Sequence, residues 1–242
     1  ETLYRDSADL ELKVQGRGDD HFPADPDAAS VGQAIDADII AAIALGKVAQ
    51  TATEVSVAKH VIDKSLTRFF YLSVYHELVA GDRPHYDEAF GYLGTGPTNS
   101  QSELTSIALV ASKRDGNNGT TFGAQLFSSL LDGSCALDKR LKADEVEAID
   151  WSSDPEYRAV VDEIDALMAK VLAASVGHEF FVPLSSLEAD EAIIHLYEGA
   201  FYFTAIEAGM RAMGGTAASD AASIRASLDL ALAAVAAGAT GW

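Results

Sequence analysis

Apolar residues recur every three or four positions through most of this chain, and this period constrains the fold more than any other feature. It matches the 3.6 residues of a helical turn and extends from Val31 to about residue 235. No segment alternates between apolar and polar residues for long enough to predict a strand. Because only 6 of the 242 residues are proline, long helices are permitted. We therefore expect an all-α fold, either an up-and-down helical bundle or two packed bundles.

Glycine, proline and capping residues divide the periodic region into separate helices. The predicted helices cover residues 31–46, 53–80, 85–92, 103–111, 121–131, 155–180, 187–213 and 219–237. Turn-forming and polar residues predict a loop at 115–119 and a connection at 132–151 with one short helix around 142–149.

The chain divides into an N-terminal segment and one large helical region. Residues 1–30 contain turn-forming residues and no apolar period, so we expect this segment to be irregular. Residues 31–242 are expected to form a single domain with two helical halves, at about 31–112 and 120–242. Each half contains one long aromatic helix that carries histidine and acidic residues.

The charge balance excludes one class of partner. Lys and Arg number 17 and Asp and Glu number 37, which gives a formal net charge of -20. Nucleic-acid binding depends on basic residues that displace counterions from phosphates, so no nucleic-acid partner is expected. The acidic surface indicates solubility and salt tolerance, or a surface that gathers cations.

Other features bear on compartment and on the chemistry of metal sites. No apolar run approaches the roughly 20 residues that span a bilayer, so no transmembrane segment is expected. The first residue is Glu1 rather than Met, an opening typical of a processed, exported protein. Cys135 is the only cysteine, which excludes an intrachain disulfide and a zinc-thiolate site.

Two segments share the pattern His-x-x-Glu, from His85 to Glu88 and from His195 to Glu198. On a helix, this spacing places an imidazole beside a carboxylate, and the pair can hold a divalent cation or exchange protons. Glu191 lies one turn before His195 and extends the second pair. These five residues are the candidate metal ligands. For either segment alone, an ordinary polar pair on a helix surface is the alternative.

Stronger catalytic signatures are missing from the sequence. It contains no His-Glu-x-x-His zinc-protease motif, no Gly-x-Ser-x-Gly nucleophile motif and no glycine-rich phosphate loop. None of the 6 histidines follows a glutamate by three positions, the spacing that ferritin-like di-metal bundles require. These absences argue against the corresponding enzyme classes.

The first His-x-x-Glu segment also resembles a known family. Residues 83–94 read Arg-Pro-His-Tyr-Asp-Glu-Ala-Phe-Gly-Tyr-Leu-Gly. This string closely resembles the most recognisable stretch of an imelysin-like family of exported bacterial proteins and lipoproteins, which reads His, an aromatic residue, Asp-Glu-Ala-Phe-Gly-Tyr, an aromatic or apolar residue, and Gly. The resemblance extends more loosely to 62–71, to Trp151 and to 197–202. About ten residues around His85 carry its specificity.

The resemblance implies an imelysin-like fold of two helical bundles and a metal site that contains His85 and Glu88. It also implies a protein in the periplasm or on the outer surface, lipid-anchored before processing. Members of the wider group are linked to iron uptake, and some are named metallopeptidases with the motif Gly-x-His-x-x-Glu. This chain has Arg83 at the motif's glycine position, so we expect metal binding without peptidase activity.

The leading expectation is therefore a non-catalytic, exported protein that binds iron or zinc, or a metal-linked protein partner, in iron acquisition. His195, Glu198 and Glu191 would join His85 and Glu88 if the two long aromatic helices face each other. Two alternatives stay open. A metallopeptidase would need a cleft with an open metal position, and a structural or adhesive module would show dispersed polar pairs.

Overall fold

The structure is a computed structural model that describes Val14 and residues 31–94, 103–181 and 188–237. Helix accounts for 87% of these residues and no strand occurs among them, which confirms the all-α fold class. Asp82 and Ala148 form an isolated antiparallel bridge. The irregular segment expected at 1–30 lies outside the described residues, apart from the helical Val14.

Eight helices occur in the described ranges. They are α1 (Val31–Val48), α2 (Ala52–Val79), α3 (Arg83–Leu93), α4 (Ser106–Asn118), α5 (Phe122–Asp144), α6 (Pro155–Phe181), α7 (Ala189–Met213) and α8 (Gly215–Ala236). None of these described helices has the length and apolar character needed to cross a membrane.

Two predicted interruptions are wrong. The loop expected at 115–119 is mostly the last turn of α4, which ends when Gly119 adopts a left-handed conformation with φ of 67°. The connection expected from residue 132 is helical as far as Asp144, because α5 continues through Gly133. No helix covers 145–149, where Glu145 is left-handed instead.

The chain forms two compact units. The first contains 1–69 and 175–242, and the second contains 70–174. The division falls inside α2 and inside α6. The halves expected at about 31–112 and 120–242 follow chain order, whereas the first unit combines two separated segments.

The first unit has two apolar clusters among its described residues. One joins the C-terminal part of α6 to α7 and α8, and its buried members are Leu196, Ala200, Phe203, Ala221 and Leu228. The other joins α1, α2 and α7, and its buried members are Ala42, Val57 and Val61. Helix α7 contributes residues to both clusters.

The second unit positions α3, which carries the first His-x-x-Glu segment. Tyr86 and Tyr157 are fully buried, and each hydroxyl donates a 2.8 Å hydrogen bond to a backbone carbonyl, of Leu130 and Leu78 respectively. Asp82 caps α3 by accepting a hydrogen bond from the His85 backbone N–H. Proline at the start of α3 removes a donor that the first turn does not need, as the sequence predicts.

Candidate metal centre

Helix α7 displays the second His-x-x-Glu pair as the sequence predicts. It continues without a break from Ala189 to Met213, so Glu191, His195 and Glu198 lie along one side of a single helix. Their surroundings differ, however. Glu191 is exposed in the first turn, while the His195 and Glu198 side chains are 26% and 14% exposed.

Glu179, which is not among the ligands predicted from the sequence, is the partner of His195. Its side chain is 5% exposed, and its Oε2 lies 2.5 Å from His195 Nδ1. Glu179 stands in the last turn of α6, where the helix dipole disfavours a carboxylate. The imidazole beside it offsets that disadvantage, since burial of a carboxylate requires a hydrogen-bonded partner.

A glycine on α7 allows α6 to approach this closely. A Cβ added to Gly199 would lie 2.5 Å from Cε1 of the Phe180 ring, a distance that real Cβ atoms do not show. Gly199 is therefore the contact point of the two helices. Since it follows Glu198 and Phe180 follows Glu179, the same contact brings the two carboxylates together.

Glu198 is held from the other side by α2. Its Oε1 lies 2.8 Å from His60 Nδ1 and 3.1 Å from Lys64 Nζ. His60 and Lys64 are one turn apart, so both reach the same carboxylate from one face of α2. Lys64 also contacts Asp63 at 2.7 Å, and its ammonium lies 4.9 Å from the centre of the Tyr202 ring.

The electrostatics of this cluster favour charged side chains. Burial opposes the charge of Lys64, but Tyr202, Asp63 and Glu198 outweigh burial and raise the Lys64 pKa. Burial likewise opposes the charge of Glu198, but Lys64 and His60 outweigh it and lower the Glu198 pKa. Glu198 is therefore an ionised carboxylate at neutral pH.

Three of these residues could bind one metal ion. One ligand atom from each of Glu179, His195 and Glu198 can be chosen so that all three lie within 4.8 Å of one another. One imidazole nitrogen and two carboxylate oxygens form a donor set that suits zinc, ferrous iron or manganese. The described residues therefore contain a compact candidate centre within the first unit.

The other predicted ligands lie elsewhere. Glu191 is not in this group, and His85 and Glu88 belong to the second unit. Both oxygens of Asp82 lie 2.7 Å from His85 Nδ1, so Asp82 is the hydrogen-bonded partner of this imidazole. That contact raises the His85 pKa against a smaller opposing effect of burial, and the Glu88 charge adds to the rise.

Sequence reasoning missed Glu179, His60 and Lys64 as members of the site. Glu179 directly follows a histidine, and His60 stands three positions before Asp63, so each has a nearby residue in the sequence with which it could pair. Neither local pattern indicates a contact with α7. His60 and Glu198 are 138 positions apart. The only local signal is Gly199 beside Glu198, because a glycine inside a helix marks a close approach of another element.

The chain was also compared with known proteins. No family model, curated protein or solved structure gave a significant match. The imelysin-like resemblance of residues 83–94 therefore remains a prediction from the sequence.

Proposed function

We propose that this chain is a non-catalytic protein that binds a divalent metal ion through Glu179, His195 and Glu198. One observation carries the proposal: their ligand atoms come within 4.8 Å of one another on side chains that are 5–26% exposed. Acidic clusters on exposed surfaces are common without a metal. Here the carboxylates are partly withdrawn from water, where an ion and a carboxylate attract each other more strongly.

His60 and Lys64 would support the ion indirectly. Both contact Oε1 of Glu198, which leaves Oε2 to face the ion. A hydrogen-bonded carboxylate is held in one orientation, and such supporting contacts raise the affinity of a metal site. Lys64 also repels a cation nearby, so it would tune the affinity downwards.

A hydrogen lies between two of the atoms that could bind the ion. His195 Nδ1 and Glu179 Oε2 are 2.5 Å apart, a separation that requires a hydrogen between them. If the ion bound both atoms, that hydrogen would leave the contact, and a neutral imidazole would carry it on Nε2 instead. Because an imidazole binds a metal ion only in its unprotonated form, we expect the affinity to rise with pH.

The site argues against the peptidase alternative. A general base must accept a proton from water near the working pH. Glu198 has a lowered pKa and two cationic or hydrogen-bonding neighbours, so it is a poor base. Binding and delivery of an ion need no such group.

The biological setting follows from the resemblance alone. We propose export to the periplasm or outer surface and a role in iron acquisition, with a surface protein as the partner that supplies or receives the ion. The support is the imelysin-like string at residues 83–94. The strongly acidic surface, with a net charge of -20, would attract cations.

Titration of the metal-free protein tests the binding step. Protein prepared without an affinity tag is treated with chelator and titrated calorimetrically with ferrous, zinc and manganese ions. We expect at least micromolar affinity for one of them, equivalent to about -8 kcal/mol. Glu179→Gln and His195→Gln should each weaken binding by at least about tenfold.

Two matched substitutions serve as controls. Glu191→Gln removes an exposed carboxylate from the same helix, and His85→Gln removes an imidazole from the second unit. Both should bind as the wild type does. Equal binding by all four variants, or no binding tighter than about millimolar, would reject the proposed centre.

A further inference from the structure

A cavity of about 400 Å³ in the first unit has a different character from the metal centre. Its walls come from α1, α2, α7 and α8, and its volume falls in the range of small-molecule sites. Three arginines line it, Arg68, Arg211 and Arg225, although the whole chain has only 17 basic residues against 37 acidic ones. Two carboxylates, Asp38 and Glu207, complete the charged lining, so the cavity has a formal charge of +1.

Glu207 is fully occupied by two of the arginines. Its Oε2 accepts hydrogen bonds from Arg225 Nη2 at 2.5 Å and Arg225 Nε at 3.0 Å, and its Oε1 accepts one from Arg211 Nη1 at 3.3 Å. Arg225 Nη2 also donates to Thr204 Oγ1 at 2.7 Å. These contacts fix one wall of the cavity and neutralise part of its positive charge.

Arg68 differs from the other two arginines because it has no such partner. Only 8% of it is exposed, yet it forms neither a hydrogen bond nor an ion pair with any residue in the described ranges. Asp38 and Glu207 attract it from a greater distance. Burial lowers its pKa to about 10, so Arg68 remains protonated at neutral pH.

The Arg68 guanidinium lines the cavity, and none of its five N–H donors has an acceptor among the described residues, so these donors are available to a group bound in the cavity. The arginine fork matches the two oxygens of a carboxylate or phosphate. An oxyanion placed against Arg68 would satisfy these donors and the excess positive charge together.

The remaining lining is apolar. Val31, Ala200, Phe201 and Leu232 face the same cavity. An inorganic anion would leave these surfaces in contact with water. A ligand with an apolar body would cover them and gain about 25 cal/mol for each Å² removed from water.

We infer that this cavity binds a small organic acid, with its carboxylate or phosphate group on Arg68 and its apolar body against Phe201 and Leu232. The inference is independent of the metal centre, since none of Glu179, His195 and Glu198 lines the cavity. Ligand binding and metal binding can therefore succeed or fail separately.

Four probe compounds that differ in charge and in apolar surface test which class of ligand binds. Metal-free protein is titrated with benzoate, phenyl phosphate, inorganic phosphate and benzylamine, followed by calorimetry and by thermal unfolding. Benzoate or phenyl phosphate should bind and raise the unfolding temperature. Inorganic phosphate should bind at least about tenfold more weakly, a difference of about 1.4 kcal/mol. Benzylamine should not bind, and equal binding of this cation would overturn the inference.

Substitutions then locate the site. Arg68→Met keeps most of the side-chain volume and removes the guanidinium, so binding of the aromatic acids should fall at least about tenfold. The unliganded variant should unfold at the same or a higher temperature, since replacement of a poorly paired buried charge is often neutral or stabilising. An Arg68 with a purely structural role would give the opposite result, a lower unfolding temperature with unchanged binding.

Two further variants distinguish loss of the binding site from a general defect in folding. Ala34 is exposed and lines the cavity, so Ala34→Trp should block the ligand without disturbing a core. Arg158→Met removes a half-exposed arginine from the second unit and should bind the acids normally. Normal binding by Ala34→Trp and Arg68→Met would place the acids outside this cavity and reject the inference.

Discussion

Glu179 Oε2 lies 2.5 Å from His195 Nδ1, and this contact joins the last turn of α6 to the second turn of α7. It depends on the close approach of Phe180, the residue after Glu179, to Gly199, which lies one helical turn after His195. The candidate metal centre is therefore built on a helix–helix contact rather than on a loop, and side chains on helices are positioned more accurately than side chains on loops.

Gly199→Ala should disturb both the fold and the site. The added methyl group would overlap the Phe180 ring, and such overpacking costs about 1–3 kcal/mol. Urea unfolding measures the loss, and metal affinity should fall with it because α6 and α7 would separate. Gly177→Ala on α6 is the matched control, since its Cβ would lie 3.8 Å from the nearest atom, an ordinary contact. Both variants gain the same helix propensity, about 1 kcal/mol, so a Gly199→Ala protein as stable as Gly177→Ala would contradict the described contact.

The contribution of Glu198 to stability should depend on pH. Its pKa is lower in the folded chain than the ordinary value of 4.5, so its contribution is complete above about pH 4.5 and is lost as the pH falls through the lowered pKa. In chelator at pH 7, Glu198→Gln should reduce the free energy of unfolding by about 1–3 kcal/mol. The difference between the two proteins should shrink in acid.

The exposed residue Glu191 provides the control for that comparison. Glu191→Gln should change the free energy of unfolding by less than about 0.5 kcal/mol at either pH. A Glu198→Gln deficit that stays constant or grows as the pH falls would mean that Lys64 and His60 do not hold the carboxylate in its charged form.

The sequence predicts local geometry well and long-range partners poorly. The step from His195 to Glu198 fixes their shared side of α7 by helical geometry alone, and the structure agrees. His60 reaches Glu198 across 138 positions, and no local spacing carries that information. The apolar period locates helices, but it does not specify which helix faces which.

The two wrong interruptions have a common cause in tertiary contacts. Asp115 falls in the loop that the sequence predicts at 115–119, yet it lies in the last turn of α4 and caps α5: its Oδ1 accepts from the Phe122 N–H at 2.7 Å and its Oδ2 from the Gly123 N–H at 2.9 Å. Gly133 falls in the connection that the sequence predicts at 132–151, yet it lies inside α5, where its missing side chain accommodates the Tyr86 hydroxyl. Capping and close packing both use the residue types that otherwise form turns.

In the first His-x-x-Glu segment, His85 should behave as the hydrogen-bonded partner of Asp82, the residue that caps α3. Asp82 raises the His85 pKa by accepting its hydrogen bond, so Asp82→Asn should lower that pKa while asparagine still caps the helix. Titration of the His85 ring protons by NMR measures the change. An unchanged His85 pKa in Asp82→Asn, or a shift of the His85 signals on addition of metal, would show that this imidazole has another partner.

Anomalous diffraction from crystals soaked with zinc or manganese tests the central proposal most directly, because it locates the ion itself. We predict a peak bound by Glu179, His195 and Glu198, with zinc–ligand distances of about 2.0–2.2 Å. The peak should be absent from crystals of His195→Gln and present in crystals of Glu191→Gln. A peak at His85 and Glu88 instead, or no peak at a concentration that saturates binding in solution, would contradict the account.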